Sequence, residues 1–391
     1  METRKLYYED CLLREFSAAV VSCEKAEKGW QVVLDATAFY PEGGGQACDL
    51  GTLGDARVLD VREQGQQVIH LCDAPLGVGD TVTGKIDWDR RLDLMQQHSG
   101  EHIVSGILHA MYGCHNVGFH MGADVITIDF DYPIPPEVLP EVEKQANAAI
   151  YQDLPIRCSY PAEDVLPTIP YRTKKQLPWP VRIVEVPGFD ICACCGVHVA
   201  TTGQIGLIKL LSCVKFHAGV RIEMICGARA LDYLSKIYEQ NKQVSQAFSA
   251  KVLETGAAAR RMNDALAAEK FRASTLERQV FDALAASCAG KGDVLYFGNG
   301  LLPGAIRELA DRIARQCCGT AAVLSGTDGE GYSVCLVNHS QPVADLGKQM
   351  NAALSGRGGG KPGFFQGSLK APREAVLGFF GKLNQFYLLQ K

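Results

Sequence analysis

Two short motifs about a hundred residues apart set the strongest limit on how this 391-residue chain can fold. The first is His98-Ser99-Gly100-Glu101-His102, in a stretch from Trp88 to about Met111 where Leu92, Met95, His98 and Ile103 follow a helical pattern. Residues four apart lie one above the other on a helix, so two imidazoles can converge on one ion. The second is Cys192-Ala193-Cys194-Cys195-Gly196-Val197-His198, in which Gly196 permits the tight turn that lets a Cys and a His face one point. Zinc takes four nitrogen or sulfur ligands in a tetrahedron, and a thiolate plus an imidazole would complete the histidine pair. The fold is therefore expected to carry the two motifs together. Spacing leaves Cys192, Cys194 and Cys195 all eligible, and His109 is a rival imidazole. The metalloprotease pattern is excluded, because Ser99 occupies the position where that pattern needs Glu.

Around these motifs the chain reads as multidomain α+β. Residues 1–88 are expected to form a small β-barrel-like domain, with strands at Trp30–Leu34, Arg57–Val61 and Gln67–Leu71. Residues 89–228 read as a zinc-binding α+β domain. It has helices from Trp88 and over Pro136–Gln152, and strands Val181–Val186 and Ile205–Val214 flank the cysteine-rich loop. Residues 229–288, with no proline and one glycine, read as a long helical linker or hairpin. Its broken heptad pattern also suggests a homodimer contact, shared with the C-terminal domain. Residues 289–391 read as a small α/β domain with strands Val294–Phe297, Ala321–Leu324 and Tyr332–Val337, a helix Ile306–Gln316 and a glycine-rich loop Ser355–Gly367.

Composition narrows the function classes. Net charge is only −5, yet residues 1–200 carry 16 basic and 29 acidic groups while 201–391 carry 23 and 15. Only the C-terminal half has a balance that favours a polyanion. The start of the sequence has no apolar signal core, and the longest charge-free stretch, 102–123, contains histidines and glycines that suit a membrane span poorly. The expectation is a cytoplasmic protein without a membrane partner. Most of its fifteen cysteines are then free thiols.

A third motif is Thr37-Ala38-Phe39-Tyr40-Pro41-Glu42-Gly43-Gly44-Gly45-Gln46. Its glycines permit close approaches, Pro41 stiffens the entry, and Glu42 and Gln46 offer polar groups to a substrate. Phe39–Gln46, His98–His102 and Cys194–His198, in this order, resemble the editing domain of alanyl-tRNA synthetase and the free-standing AlaX proteins in their long form. Arg357-Gly358-Gly359-Gly360-Lys361-Pro362, followed by Gln366-Gly367, resembles the glycine-rich motif of the DHH-associated domain that ends those synthetases. The resemblance covers nearly the whole chain. It implies zinc ligands His98, His102, Cys194 and His198. It also implies substrate contacts at Thr37, Glu42, Gly43, Gly44, Gly45 and Gln46, with Thr37 meeting a mischarged serine. The family's Cys-Gly-Gly-Thr-His form is here Cys194-Cys195-Gly196-Val197-His198, so no role of that threonine carries over.

The implied activity is that of a trans-editing hydrolase, which cleaves a wrong amino acid, serine or glycine, from mischarged alanine tRNA. The sequence shows no room for the synthetase's aminoacylation domain before the editing region, so a stand-alone editing protein is the expectation. Nothing in the sequence marks a catalytic nucleophile or general base, so water is the expected attacking group. Arg357, Gly358, Gly359, Gly360 and Lys361 are the candidate tRNA contacts. Two rival classes are a non-catalytic tRNA-binding factor with structural zinc and a metal-dependent phosphoesterase. The absence of an Asp-His-His motif counts against the second.

Overall fold

The structure is a computed structural model that describes residues 2–173, 177–383 and 385–389. The chain divides into two compact units, Met1–Val244 and Ser245–Lys391.

Near the start of the first unit, one sheet has six strands: β1 (Glu15–Ala26), β2 (Gly29–Leu34), β3 (Gly51–Leu53), β4 (Ala56–Gln64), β5 (Gln67–Cys72) and β6 (Thr81–Ile86). They pair in the closed order β1-β2-β5-β4-β3-β6, with β6 returning to β1. Alternation along the strands sends Phe16, Val20, Val32, Leu34, Val58, Val61 and Val68 inward to one core. Phe39 joins that core from the glycine-bearing segment.

The helix α1 (Trp88–Tyr112) follows. Asp87 caps it by accepting from the Arg90 amide at 3.2 Å, and Gly113 ends it in the left-handed conformation. The buried side of α1, including Met95, Ile103, Val104, Ile107 and Leu108, packs into a second core. That core is shared with α2 (Leu139–Tyr151) and with a four-stranded sheet. The sheet runs β12 (Ile208–Phe216), β13 (Gly219–Cys226), β8 (Ile126–Phe130), β7 (Asn116–Met121). A separate three-stranded sheet, β9 (Arg157–Ser159), β10 (Ile183–Val186) and β11 (Asp190–Ala193), delivers the cysteine-rich loop from the end of β11.

The stretch expected to be a long helical linker or hairpin is two helices: α3 (Gly227–Ala247) ends, and α4 (Thr255–Ser287) begins after a short 3₁₀ turn at Val252–Glu254. Ser249 adopts a left-handed φ of 48° at the break.

One expectation is corrected, that for Ser355–Gly367. It is not a loop, because Arg357–Lys361 is an edge strand of a six-stranded sheet. The elements of that domain are β14 (Asp293–Gly298), α5 (Pro303–Cys317), β15 (Ala321–Thr327), β16 (Gly331–Val337), α6 (Ala344–Ala353), β17 (Arg357–Lys361), β18 (Phe364–Leu369), α7 (Arg373–Gly381) and β19 (Phe386–Leu389). The sheet order is β17-β18-β16-β15-β14-β19. Glycine disfavours strands, but here the pairing overrides propensity: a Cβ on Gly360 would sit 1.9 Å from the Phe364 carbonyl oxygen.

Candidate metal centre

His98 and His102 project from one face of α1, and the loop after β11 brings Cys194 and His198 to them. One potential ligand atom from each of the four residues lies within 4.8 Å of every other. The imidazoles are buried, and the ring pairs His98–His198 and His102–His198 stand 4.5 and 4.7 Å apart.

Hydrogen bonds fix which nitrogen of each ring faces inward. The Val197 amide donates to Gln46 Oε1 at 3.2 Å, so that atom is an acceptor. His98 Nδ1, 2.8 Å from the same oxygen, must then be the protonated nitrogen, which leaves Nε2 toward Cys194 Sγ at 3.4 Å. His102 Nδ1 donates to Asp190 at 2.9 Å, and Arg172 grips the same carboxylate through two bonds of 2.6 and 2.8 Å. His198 Nδ1 lies 3.3 Å from Ser99 Oγ, while its buried Nε2 has no hydrogen-bond partner. This is the outer-shell pattern that orients imidazoles toward a metal.

Charge follows the same geometry. Burial works against the Cys194 thiolate, yet the His98 and His102 imidazoles hold the thiol well below its ordinary range. Burial pushes Cys192 the other way, up to about 11. Burial also opposes a charged His102, but Cys194 and Asp190 keep it well above the usual imidazole value. Burial and the neighbouring His98 push His198 well below it. Cys195 is exposed and Cys192 lies with His102 and Asp190 in a separate grouping, so Cys194 is the thiol that meets all three imidazoles.

The glycine motif forms a tight turn over this cluster. Gly43 and Gln46 exchange backbone hydrogen bonds of 3.0 and 3.1 Å, and both central residues, Gly44 and Gly45, have positive φ, as a type I′ turn requires. A Cβ on Gly45 would meet Phe119, whose ring stacks on His98 at 5.3 Å. A Cβ on Gly196 would lie 2.1 Å from His98 Cε1, so only glycine lets the ligand loop close.

Glu42 is exposed at the start of the turn. Gln46 is buried, its oxygen spent on His98 and Val197, and its Nε2 is a donor without a partner. Thr37 is fully buried. Its neighbour His70 is pushed down to about 4 by burial and donates Nδ1–H to the Val32 carbonyl, so His70 Nε2 accepts the Thr37 hydroxyl proton at 2.8 Å. The same hydroxyl oxygen accepts from the Phe39 amide at 3.1 Å, completing the turn before Phe39.

Sequence reasoning missed what anchors this segment. Arg91 and Asp49, both 0% exposed, form a bidentate pair, with Arg91 Nε donating to Asp49 Oδ1 at 2.8 Å. Arg91 also donates to the carbonyls of Ala38 at 2.5 Å and Cys11 at 3.1 Å, and Asp49 accepts from the Tyr40 amide. Residues 38–49 are thereby tied to α1 at Arg91, about two helical turns before His98. The signal was present: Arg91, Met95, His98 and His102 follow at spacings of four, three and four, on one face.

In the second domain, Arg357, Gly358, Gly359, Gly360 and Lys361 are all exposed on the edge strand.

Family models match three stretches of the chain. Residues 3–90 match the class II (A) tRNA synthetases, 181–229 the threonyl and alanyl tRNA synthetase second additional domain, and 282–386 the DHHA1 domain. The alanyl-tRNA editing protein Aarsd1-B of Xenopus laevis is 30% identical over 92% of this chain and 92% of its own length. The chain belongs to the alanyl-tRNA editing protein family. The alanine–tRNA ligase of Thermofilum pendens is 33% identical over 94% of this chain, which spans only 42% of the ligase's length. Of solved structures, the C-Ala domain of Aquifex aeolicus alanyl-tRNA synthetase matches 24% of this chain and 90% of that domain, at 24% identity and a TM-score of 0.20. No described helix is long and apolar enough to cross a membrane.

Proposed function

We propose that this protein hydrolyses the ester linking a wrong amino acid to the 3′ end of alanine tRNA, with serine as the principal substrate and glycine as the second. The observation that carries the reading is the buried cluster of three imidazoles and one thiol. The Nδ1 atoms of its histidines are engaged outside the cluster, and His198 Nε2 is left without a partner inside it. The donor set fits zinc, held by His98, His102, Cys194 and His198. Bound there, zinc would supply positive charge to orient and polarise the aminoacyl group, and four protein ligands favour that role over a water-activating one.

The chain's own residues do the remaining work. Gln46 fixes His98 with its oxygen and can offer its unpartnered Nε2–H to the ester carbonyl. Asp190 holds His102 in one tautomer, and the Arg91–Asp49 pair keeps the glycine turn seated over the cluster. The Thr37 hydroxyl keeps one lone pair beyond its bonds to His70 and Phe39, so a serine hydroxyl would meet it by donating. Selection of this kind solves a physical problem. A pocket made for alanine cannot strongly reject an added hydroxyl, whereas a second site that hydrogen-bonds it selects the error positively. Water is the attacking group. Arg357, Lys361 and the glycines between them are the proposed tRNA contacts of the second domain, and a homodimer through the helical segment is part of the same proposal.

The test compares hydrolysis of serine-charged and alanine-charged alanine tRNA by the native chain and by His102→Ala. The native chain should cleave the first and spare the second, and His102→Ala should lose activity. Equal treatment of both substrates would refute the reading. Retained tRNA binding without any hydrolysis would favour a non-catalytic binding factor.

A further inference from the structure

Three partly exposed aromatic rings extend outward from the metal-ligand loop. Tyr8 donates its hydroxyl to the Cys195 carbonyl at 2.7 Å, one residue from Cys194. The Arg182 guanidinium lies over the Tyr8 ring, 4.8 Å from its centroid. The same guanidinium holds the Cys194 and Gly196 carbonyls at 2.9 and 2.8 Å and donates to Cys158 Sγ at 3.0 Å. Tyr160, 53% exposed, meets Tyr8 edge to face with centroids 6.5 Å apart. Trp179, 52% exposed, is anchored through its indole N–H to the carbonyl of Pro161, the residue after Tyr160. Behind this row Tyr7 packs 4.5 Å from Tyr8 and 5.5 Å from Tyr40, in the core.

Large rings left in solvent forgo the burial that stabilises a fold. Here Tyr8 and Tyr160 are in ring contact, Trp179 is tied to the backbone next to Tyr160, and Tyr8 bonds the ligand loop. Among the described residues Arg182 has no carboxylate partner, and Glu63, the acid that bears on Tyr8 and Tyr160, is paired with Lys5 at 2.7 Å. The local balance therefore suits an anionic strand with apolar faces better than an apolar peptide.

We propose that Tyr8, Tyr160 and Trp179 form a stacking shelf for the unpaired bases at the 3′ end of a tRNA acceptor strand, with the terminal ribose carried over the ligand loop. The proposal rests on the ester-hydrolysis reading, since that chemistry requires the terminal ribose at the metal centre. Aromatic side chains bind the faces of unstacked bases without reading sequence, which suits an end whose identity is set elsewhere in the tRNA. Arg182 serves as a positioning residue, because one guanidinium fixes both the Tyr8 ring and the carbonyls of the ligand loop.

The experiment uses the full zinc-loaded chain and uncharged alanine tRNA carrying 2-aminopurine in place of the terminal adenine. Binding should quench the fluorophore. Tyr160→Ala and Trp179→Ala should each weaken binding by about fivefold to a hundredfold per stacked base lost. A tRNA truncated before its unpaired end should bind native and variant chains alike. Zinc content, measured in parallel, should equal the native value in both variants. Equal weakening for intact and truncated tRNA, or none for either, would overturn the shelf. Shielding of Trp179 with rising protein concentration and no quenching would assign the row to self-association and likewise overturn it. If the native chain quenches the fluorophore but leaves serine-charged tRNA intact, the hydrolysis reading fails and the shelf stands. If the variants hydrolyse with native KM, the shelf fails and the hydrolysis reading stands.

Discussion

Asp49→Ala isolates the contribution of the buried pair beneath the glycine turn. The substitution leaves the Arg91 guanidinium fully buried with only the Ala38 and Cys11 carbonyls as partners, and removes the acceptor of the Tyr40 amide. Removing one member of a buried pair costs about 3–5 kcal/mol, because an uncompensated charge stays behind. With a urea slope of about 2 kcal/mol per M, the midpoint should fall by roughly 1.5–2.5 M. The three tryptophans, Trp30, Trp88 and Trp179, all lie in Met1–Val244, so their fluorescence follows this unit without interference from the other. Replacing both members by apolar residues, Arg91→Met with Asp49→Leu, should recover most of the loss, since the cost is charge burial rather than lost attraction. A midpoint shift of the single variant under about 0.5 M, or a double variant no better than the single, would refute the reasoning.

Three further outcomes are expected. Gly196→Ala places a methyl group inside the His98 ring position and should abolish stoichiometric zinc, read by elemental analysis of the purified chain. Asp190→Asn removes the carboxylate that fixes the His102 tautomer and should weaken zinc retention by about ten- to a hundredfold against a competing chelator. His70 gives a pH signature. Its folded value of about 4 lies below the unfolded value of about 6.5, so the unfolded chain binds the proton first as pH falls. The stability of the first unit should be intact above about pH 6.5 and decline toward pH 4, by about 2 kcal/mol at pH 5. His70→Gln should lack that part of the slope in urea titrations at pH 7 and pH 5.

Local pattern carried the elements whose residues settle their own conformation. The helix bearing His98 and His102 was legible from spacing, and strands such as Trp30–Leu34 and Tyr332–Val337 from their β-branched and aromatic runs. The spacing of the cysteines left three thiols open, because the choice depends on how the loop after β11 leaves the sheet. Asp190 was invisible as a partner of His102, since 88 residues separate them. The Arg91–Asp49 pair is equally non-local, although an arginine on a buried helical face was itself a clue. The glycines at 358–360 misled because propensity describes an isolated strand, whereas β18 supplies the pairing.

That last strand has a consequence for colloidal behaviour. An edge strand presents unpaired amides and carbonyls that invite a strand from another molecule. Here the stretch between the charged ends is three glycines, so an incoming strand finds no side chains to interdigitate with and meets Arg357 and Lys361 at either end. Two copies approaching edge to edge would oppose cation to cation. The edge thus stays open to solvent while its flanking cations discourage polymerisation through it.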